Sequence, residues 1–181
     1  MPARAELPAA VPVLTTGRLI LRPFEPDDQS GLRAIYGDPE VLRHLAMYPV
    51  RSAQDAARLY RNYARSLSVG DGLRWAVTLQ GEMVGCCALL SWNTETACAQ
   101  LSYEFVRAGW GQGLATEAAG AVLRYGLEVL GLRQVEAWTM LENSASQRVL
   151  EKLGLRPLGV FQGPLRWRGR PCKLKLYRLT R

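Results

Sequence analysis

A glycine-rich run, Gly109-Trp110-Gly111-Gln112-Gly113-Leu114-Ala115-Thr116-Glu117, joins a strand-like segment to an amphipathic helical one. Glycines at alternate positions let the backbone approach a ligand closely and present successive N–H groups. The helix that begins near Gly113 aims the positive end of its dipole at the same spot, which makes an anion site. The same glycines would also serve a plain tight strand-to-helix turn, and the loop alone leaves both readings open. Its spacing does narrow the ligand. A Walker A loop needs Gly-Lys followed by Ser or Thr, and no lysine stands here. A dinucleotide fingerprint GxGxxG begun at Gly109 meets Leu114, and one begun at Gly111 meets Thr116, so both registers fail.

The patterns around the loop predict the fold class. Residues 1–14, rich in Ala and Pro, read as a flexible tail ahead of a domain spanning 15–181. Arg18 to Pro23 reads as a first strand ended by proline, and Pro26-Asp27-Asp28 opens a helix running to about Gly37. Ser52-Ala53-Gln54-Asp55 resembles a capping box, and Ala56, Leu59, Tyr60 and Tyr63 repeat at helical spacing behind it. From about residue 73 the period becomes two: Arg74–Leu79, a turn at 80–82, Met83–Trp92 and then Ala97–Val106. The helix after the loop carries Ala115, Ala118, Val122, Val129 and Leu130 on one stripe and stops at Gly131. Another strand follows over Gln134–Leu141, then a helix capped by Asn143 and ended at Gly154, then strands near 155–161 and 172–180. The expectation is one α+β domain: a single mixed, mostly antiparallel sheet of about seven strands flanked by about four helices.

Composition excludes several classes. The 181 residues suffice for one cored domain. No run approaches 18 apolar residues, and Glu6, Pro8 and Pro12 break the N-terminal apolar stretch, so neither a membrane span nor a secretory signal is expected. Cys86, Cys87, Cys98 and Cys172 show no CxxC spacing and the single histidine, His44, is distant in sequence. Free thiols, no metal and a cytoplasmic location are therefore expected. The net charge of +7 favours polyanionic partners. Its densest cluster, Arg166, Arg168, Arg170, Lys173 and Lys175 with Trp167 and Tyr177, fits either an RNA contact or a basic hairpin.

On these residues the sequence resembles the GNAT superfamily of acetyltransferases, and within it the branch of ribosomal-protein N-terminal acetyltransferases. The family loop reads Gln/Arg-x-x-Gly-x-Gly/Ala; here Trp110, Gly113 and Ala115 take the three fixed places, followed by Ala115-Thr116-Glu117-Ala118. Two further segments agree: Thr16-Gly17-Arg18-Leu19-Ile20-Leu21-Arg22, and Asn143-Ser144-Ala145-Ser146 leading to Leu150-Glu151-Lys152-Leu153-Gly154. The resemblance implies acetyl-CoA as cosubstrate. Its pyrophosphate would lie on the loop (Trp110, Gly111, Gln112, Gly113, Leu114, Ala115, Thr116), with further contacts from Tyr103, Phe105, Asn143 and Ser146. It also implies a bulge in the strand before the loop, whose backbone amides meet the thioester oxygen.

Acyl transfer to an amine needs a neutral nucleophile, oxyanion stabilisation and a departing thiolate. Strand alternation sets Leu101, Tyr103 and Phe105 on one face and Ser102 and Glu104 on the other. Glu104 is the candidate base, directly or through water, against the plain alternative of a solvent-facing carboxylate. The tyrosine acid common in the family falls on Leu150 here, which makes Ser146 the nearest hydroxyl for the departing sulfur, or a small residue packed on the cofactor. An α-amine with a pKa near ~7.8 is about one-third neutral at pH ~7.5, whereas a lysine at ~10.4 is about 0.1% neutral. The expected acceptor is therefore a protein or peptide N-terminus; the resemblance implies a ribosomal context for it, and the chain is expected to be a monomer or homodimer. A small amine (polyamine or antibiotic) is the alternative within the enzyme class. An RNA-binding protein and an inactive acyl-CoA-binding regulator are the alternatives outside it.

Overall fold

The computed structural model describes residues 7–167 and 170–181, and the side chains of these apart from 163–172. Residues 1–6 of the expected tail and most of the basic cluster around Arg168 therefore lie outside the described residues, as does the side chain of Cys172.

Among the described residues eight strands form one sheet in the order β1-β2-β3-β4-β5-β6-β8-β7. They are β1 (Leu14–Thr15), β2 (Leu19–Arg22), β3 (Gly72–Leu79), β4 (Glu82–Asn93), β5 (Cys98–Phe105), β6 (Gln134–Met140), β7 (Arg156–Trp167) and β8 (Arg170–Thr180). Five α-helices accompany them: α1 (Gln29–Tyr36), α2 (Pro39–Leu42), α3 (Ala53–Ala64), α4 (Leu114–Glu128) and α5 (Ser144–Lys152). The class is the expected one, and the counts exceed the expected seven and four for a physical reason. β1 is a two-residue strand paired with Ile20 and Leu21, and α2 is a single turn capped by Asp38; neither is long enough to show a period. Pro26–Asp28 forms a 3-10 turn ahead of α1, with Arg22 gripping the buried Asp28 through two bonds of 2.8 and 2.9 Å. Residues 7–14 lie against the sheet: Leu7, Val11 and Leu14 pack on its core, and the Trp75 indole donates to the Pro12 carbonyl at 2.7 Å.

The period-two pattern of β3 serves two cores at once. Leu73, Trp75 and Val77 join the cluster under α4, while Ala76 joins the one under α1 and α3, with Leu32, Ile35 and Tyr36. α3 starts on the reciprocal Ser52–Asp55 box. Gly85 on β4 leaves room for the neighbouring strand, since a Cβ there would stand 2.5 Å from the Phe105 ring.

All neighbouring strands are antiparallel except β5 and β6, which pair in parallel over only three residues each, Cys98–Gln100 with Gln134–Glu136. Beyond that point β5 continues along β4 to Phe105 and β6 continues along β8 to Met140. The two strands part, and the backbone facing the gap is released from the ladder. The expected bulge is absent from Leu101–Phe105, which keeps unbroken register with Gly85–Leu89. The irregularity in this pair lies instead at Leu90–Asn93. Divergence of the strands, rather than an extra residue, opens the sheet here.

Candidate active site

The glycine loop sits at the mouth of that gap. Gly111 and Gly113 have φ of +75° and +77°, which only glycine adopts at low cost, and Gly113 is the N-cap of α4. No side chain caps α4, so the donors of its first turn stay available to a ligand. A Cβ at Gly111 would meet nothing within 4 Å and one at Gly113 only the Arg18 guanidinium at 3.6 Å. These glycines therefore answer a backbone shape rather than crowding. The loop is braced from three sides: the Trp110 indole donates to Phe105 O at 3.1 Å, Gln112 Nε2 to Ala108 O at 2.7 Å, and Arg18 Nη1 to Gln112 O at 3.0 Å.

Glu117 ties two of the sequence segments into one unit. Its carboxylate accepts from Thr16 Oγ1 at 2.6 Å, from the Arg18 amide at 2.9 Å and from Arg18 Nε at 2.7 Å. Burial pulls its pKa upward, but the bonds from Thr16 and Arg18 outweigh it and hold the carboxyl below the ordinary carboxylate range. The Thr16-Gly17-Arg18 opening thus clamps the helix that carries the loop.

A cleft of about 360 Å³ runs from the loop to the diverging strands. Tyr103, Glu104, Phe105, Trp110, Gly111, Gly113, Leu114, Ala115, Thr116, Asn143 and Ser146 line it, which brings together every candidate residue except Gln112. Gln112 turns its side chain back to its own loop. The Asn143 side chain caps α5 by accepting from the Ser146 amide at 3.1 Å. Ser146 Oγ lies 2.9 Å from the Tyr103 hydroxyl, which reaches α5 from β5. Burial, partly offset by that hydroxyl contact, pushes the Tyr103 phenol well above its ordinary range, so it is a protonated donor at neutral pH. Leu150 is 1% exposed and packs in the core, away from the cleft.

Glu104 stands on the opposite face of β5. Oε1 accepts from Ser102 Oγ at 2.9 Å, and Oε2 from the Tyr36 hydroxyl and the Cys86 thiol, each at 3.2 Å. It is thus a bonded cleft carboxylate, not a freely solvated one.

The sequence reading missed several cleft residues. Val41, His44 and Leu45 come from α2 and the turn after it, an element too short for periodicity to reveal. His44 is the chain's single histidine, which was a signal in itself. Burial, and then Arg43 beside it, lower its pKa, so the imidazole is neutral at neutral pH. Arg148 and Lys152, four apart on α5, also line the cleft and add positive charge to it; their helical spacing was legible. Among the described residues no group of three or more His, Cys, Asp or Glu side chains is placed to hold a metal ion, and no helix is long and apolar enough to cross a membrane.

The chain matches the acetyltransferase (GNAT) domain over residues 18–156. It belongs to the GNAT acetyltransferase family and is an acyltransferase. The N-acetyltransferase YoaA of Bacillus subtilis (strain 168), itself uncharacterized, is 27% identical over 172 residues, covering 94% of this chain and 97% of that protein. The FsC-acetyl coenzyme A-N(2)-transacetylase of Aspergillus fumigatus is 31% identical over 162 residues, covering 84% of this chain and 68% of that protein. Among solved structures, RimL, a ribosomal L7/L12 alpha-N-protein acetyltransferase in complex with coenzyme A, superposes with a TM-score of 0.83 at 16% identity, covering 93% of this chain and 98% of that one. This GNAT membership sets the chain in the enzyme class, in place of the non-enzyme alternatives.

Proposed function

We propose that this GNAT enzyme transfers an acetyl group from acetyl-CoA to a primary amine, and that the acceptor is the N-terminal α-amine of a protein or peptide. The observation that carries the reading is the meeting, in one cleft, of uncapped amides at the head of α4 with Glu104, Tyr103 and Ser146. The glycine cradle and the uncapped helix start suit a pyrophosphate, and Arg148 and Lys152 add the countercharge. In the reaction the neutral amine attacks the thioester carbonyl, a C–N bond forms and the C–S bond breaks. Glu104 takes the surplus amine proton, directly or through water. Ser146, bonded to the Tyr103 phenol, offers the departing sulfur a hydrogen-bond donor.

The α-amine is favoured because its neutral form is abundant near neutral pH, whereas freeing a lysine costs roughly 4 kcal/mol. RimL, a ribosomal L7/L12 alpha-N-protein acetyltransferase, shares the fold and supports the same reading. The second reading, in which the acceptor is a small amine, is kept beside it, because the FsC-acetyl coenzyme A-N(2)-transacetylase is named for an N(2) position and not for a protein N-terminus. The free thiols Cys86, Cys87 and Cys98 agree with a cytoplasmic setting.

Mass spectrometry of matched peptides separates the two: one with a free N-terminus and blocked lysine, one with a blocked N-terminus and free lysine, beside a polyamine. The α-acetyl product should accumulate fastest. Predominant ε-acetylation, or turnover confined to the polyamine, would replace the protein acceptor with the small-amine reading.

A further inference from the structure

Behind Glu104 lies a buried polar cluster that the transfer reaction does not itself require. Tyr36 comes from α1, Tyr63 from α3, Arg74 from β3, Cys86 from β4 and Ser102 from β5. Tyr63 OH donates to Tyr36 OH at 3.0 Å, and Tyr36 OH to Glu104 Oε2 at 3.2 Å. Cys86 Sγ donates to the same oxygen at 3.2 Å and lies 3.1 Å from the Tyr36 hydroxyl. Each hydroxyl and thiol holds one proton. Assigning those of Tyr36 and Cys86 to Oε2, and that of Tyr63 to Tyr36, uses each once and leaves the Tyr36–Cys86 approach a contact without a proton of its own.

A carboxylate has about four lone-pair positions, two on each oxygen. Tyr36 and Cys86 fill those of Oε2, and Ser102 fills one on Oε1. We propose that Tyr36, Cys86 and Ser102 are positioning residues that fix the orientation of the Glu104 carboxylate and close three of these positions, leaving Oε1 as the oxygen that takes the amine proton. The inference rests on Glu104 being the base.

Every neighbour with a charge or a titratable proton acts on the same balance. The Arg74 guanidinium lies 4.4 Å over the Tyr63 ring and pairs through Nη2 with Asp71 at 3.3 Å, so its charge is shared between that carboxylate and the cluster. Tyr36 and Cys86 are pushed well above their ordinary ranges, by burial first and then by the neighbouring charges, Glu104 among them. Cys87, on β4 beside Cys86, is pushed up by burial and then by Glu104. Tyr103 stands on the far face of β5, and His44 and Glu142 line the same cleft. With the phenols and thiols held protonated, the cluster donates to Glu104 and fixes its orientation.

The test is the split between kcat and KM for amine acetylation in variants of the donors, beside Glu104→Gln. Tyr36→Phe should lower kcat about fivefold while KM for acetyl-CoA stays within twofold, because one donor that fixes Oε2 is lost. Cys86→Ala should lower kcat by less, and Cys86→Ser should restore it. Should Tyr36→Phe fail to fold, the Cys86 pair decides. A kcat unmoved in both Tyr36→Phe and Cys86→Ala overturns the positioning role, while an inactive Glu104→Gln still upholds the base. A fully active Glu104→Gln overturns the base, and the catalytic meaning of its donors with it.

Discussion

The proposed seat of a pyrophosphate on the glycine loop can be tested by separating backbone shape from charge at Gly113. Its φ of +77° costs an L-residue roughly 1–2 kcal/mol. Gly113→Ala should therefore lower stability by that amount without a steric clash, since the added Cβ meets only Arg18 Nη2 at 3.6 Å. For a domain of this size the loss corresponds to about 3–6 °C in Tm. Gly113→Gln and Gly113→Glu carry the same backbone cost and nearly the same bulk; only the second adds a charge facing the phosphates.

Two like charges ~4 Å apart repel by about 4 kcal/mol at the effective dielectric of a protein surface. Arg18, close to the new carboxylate, offsets part of this, and about half remains. Acetyl-CoA should then bind the Glu variant roughly 30-fold more weakly than the Gln variant at low salt, a difference of ~2 kcal/mol. Isothermal titration calorimetry of both at low salt and at ~1 M salt measures it. The gap should narrow at high salt, where the screening length falls to ~3 Å. Equal affinities at low salt, with both variants folded, would falsify the placement of the pyrophosphate on this loop.

Three further outcomes follow from the site. Glu104→Gln should lower kcat/KM about 100-fold with acetyl-CoA affinity unchanged, and recover in part at high pH where the amine is already neutral; a loss under threefold at every pH makes Glu104 a bystander. Ser146→Ala should cost about tenfold in kcat, or ~1.4 kcal/mol, because a thiol of pKa ~8.5 leaves readily unaided. Single-turnover rates equal to the parent's would remove Ser146 from the chemistry. Glu117→Gln should lower Tm near neutral pH: the Glu117 carboxyl is depressed on folding, so its contribution is present above the unfolded pKa of ~4.3 and fades as pH falls through the folded value. Melting curves of parent and variant should converge toward pH ~3, and a constant difference down to that pH would refute the clamp.

The long elements were legible because each carries its own period. β3, β4 and β5 alternate, and α4 repeats its apolar residues over fifteen positions. Elements held by partners distant in sequence were not. β1 exists because Leu14 and Thr15 meet β2, and α2 because Asp38 caps a single turn. The mouth of the cleft depends on where β5 and β6 stop pairing, and no residue in either strand announces that the ladder ends after Gln100 and Glu136.

The site divides along the same line. The loop was readable because glycines at positive φ and a helix start form one local pattern, and Glu104 because alternation put it with Ser102 on the face opposite Tyr103. What surrounds Glu104 was hidden, since Tyr36 and Cys86 are 68 and 18 residues away and each reads by itself as an ordinary core residue. The acid shows the same limit. Leu150 could be seen to lack a hydroxyl, but a sequence comparison within α5 could not show which hydroxyl reaches the cleft from elsewhere. The structure brings the Tyr103 phenol to Ser146 from β5, 43 residues earlier. If that pair shares the donor role, Ser146→Ala leaves Tyr103 in place and its loss stays near tenfold, whereas Tyr103→Phe combined with Ser146→Ala should exceed the product of the two single losses. Strictly multiplicative losses in that cycle would show that the two hydroxyls act independently.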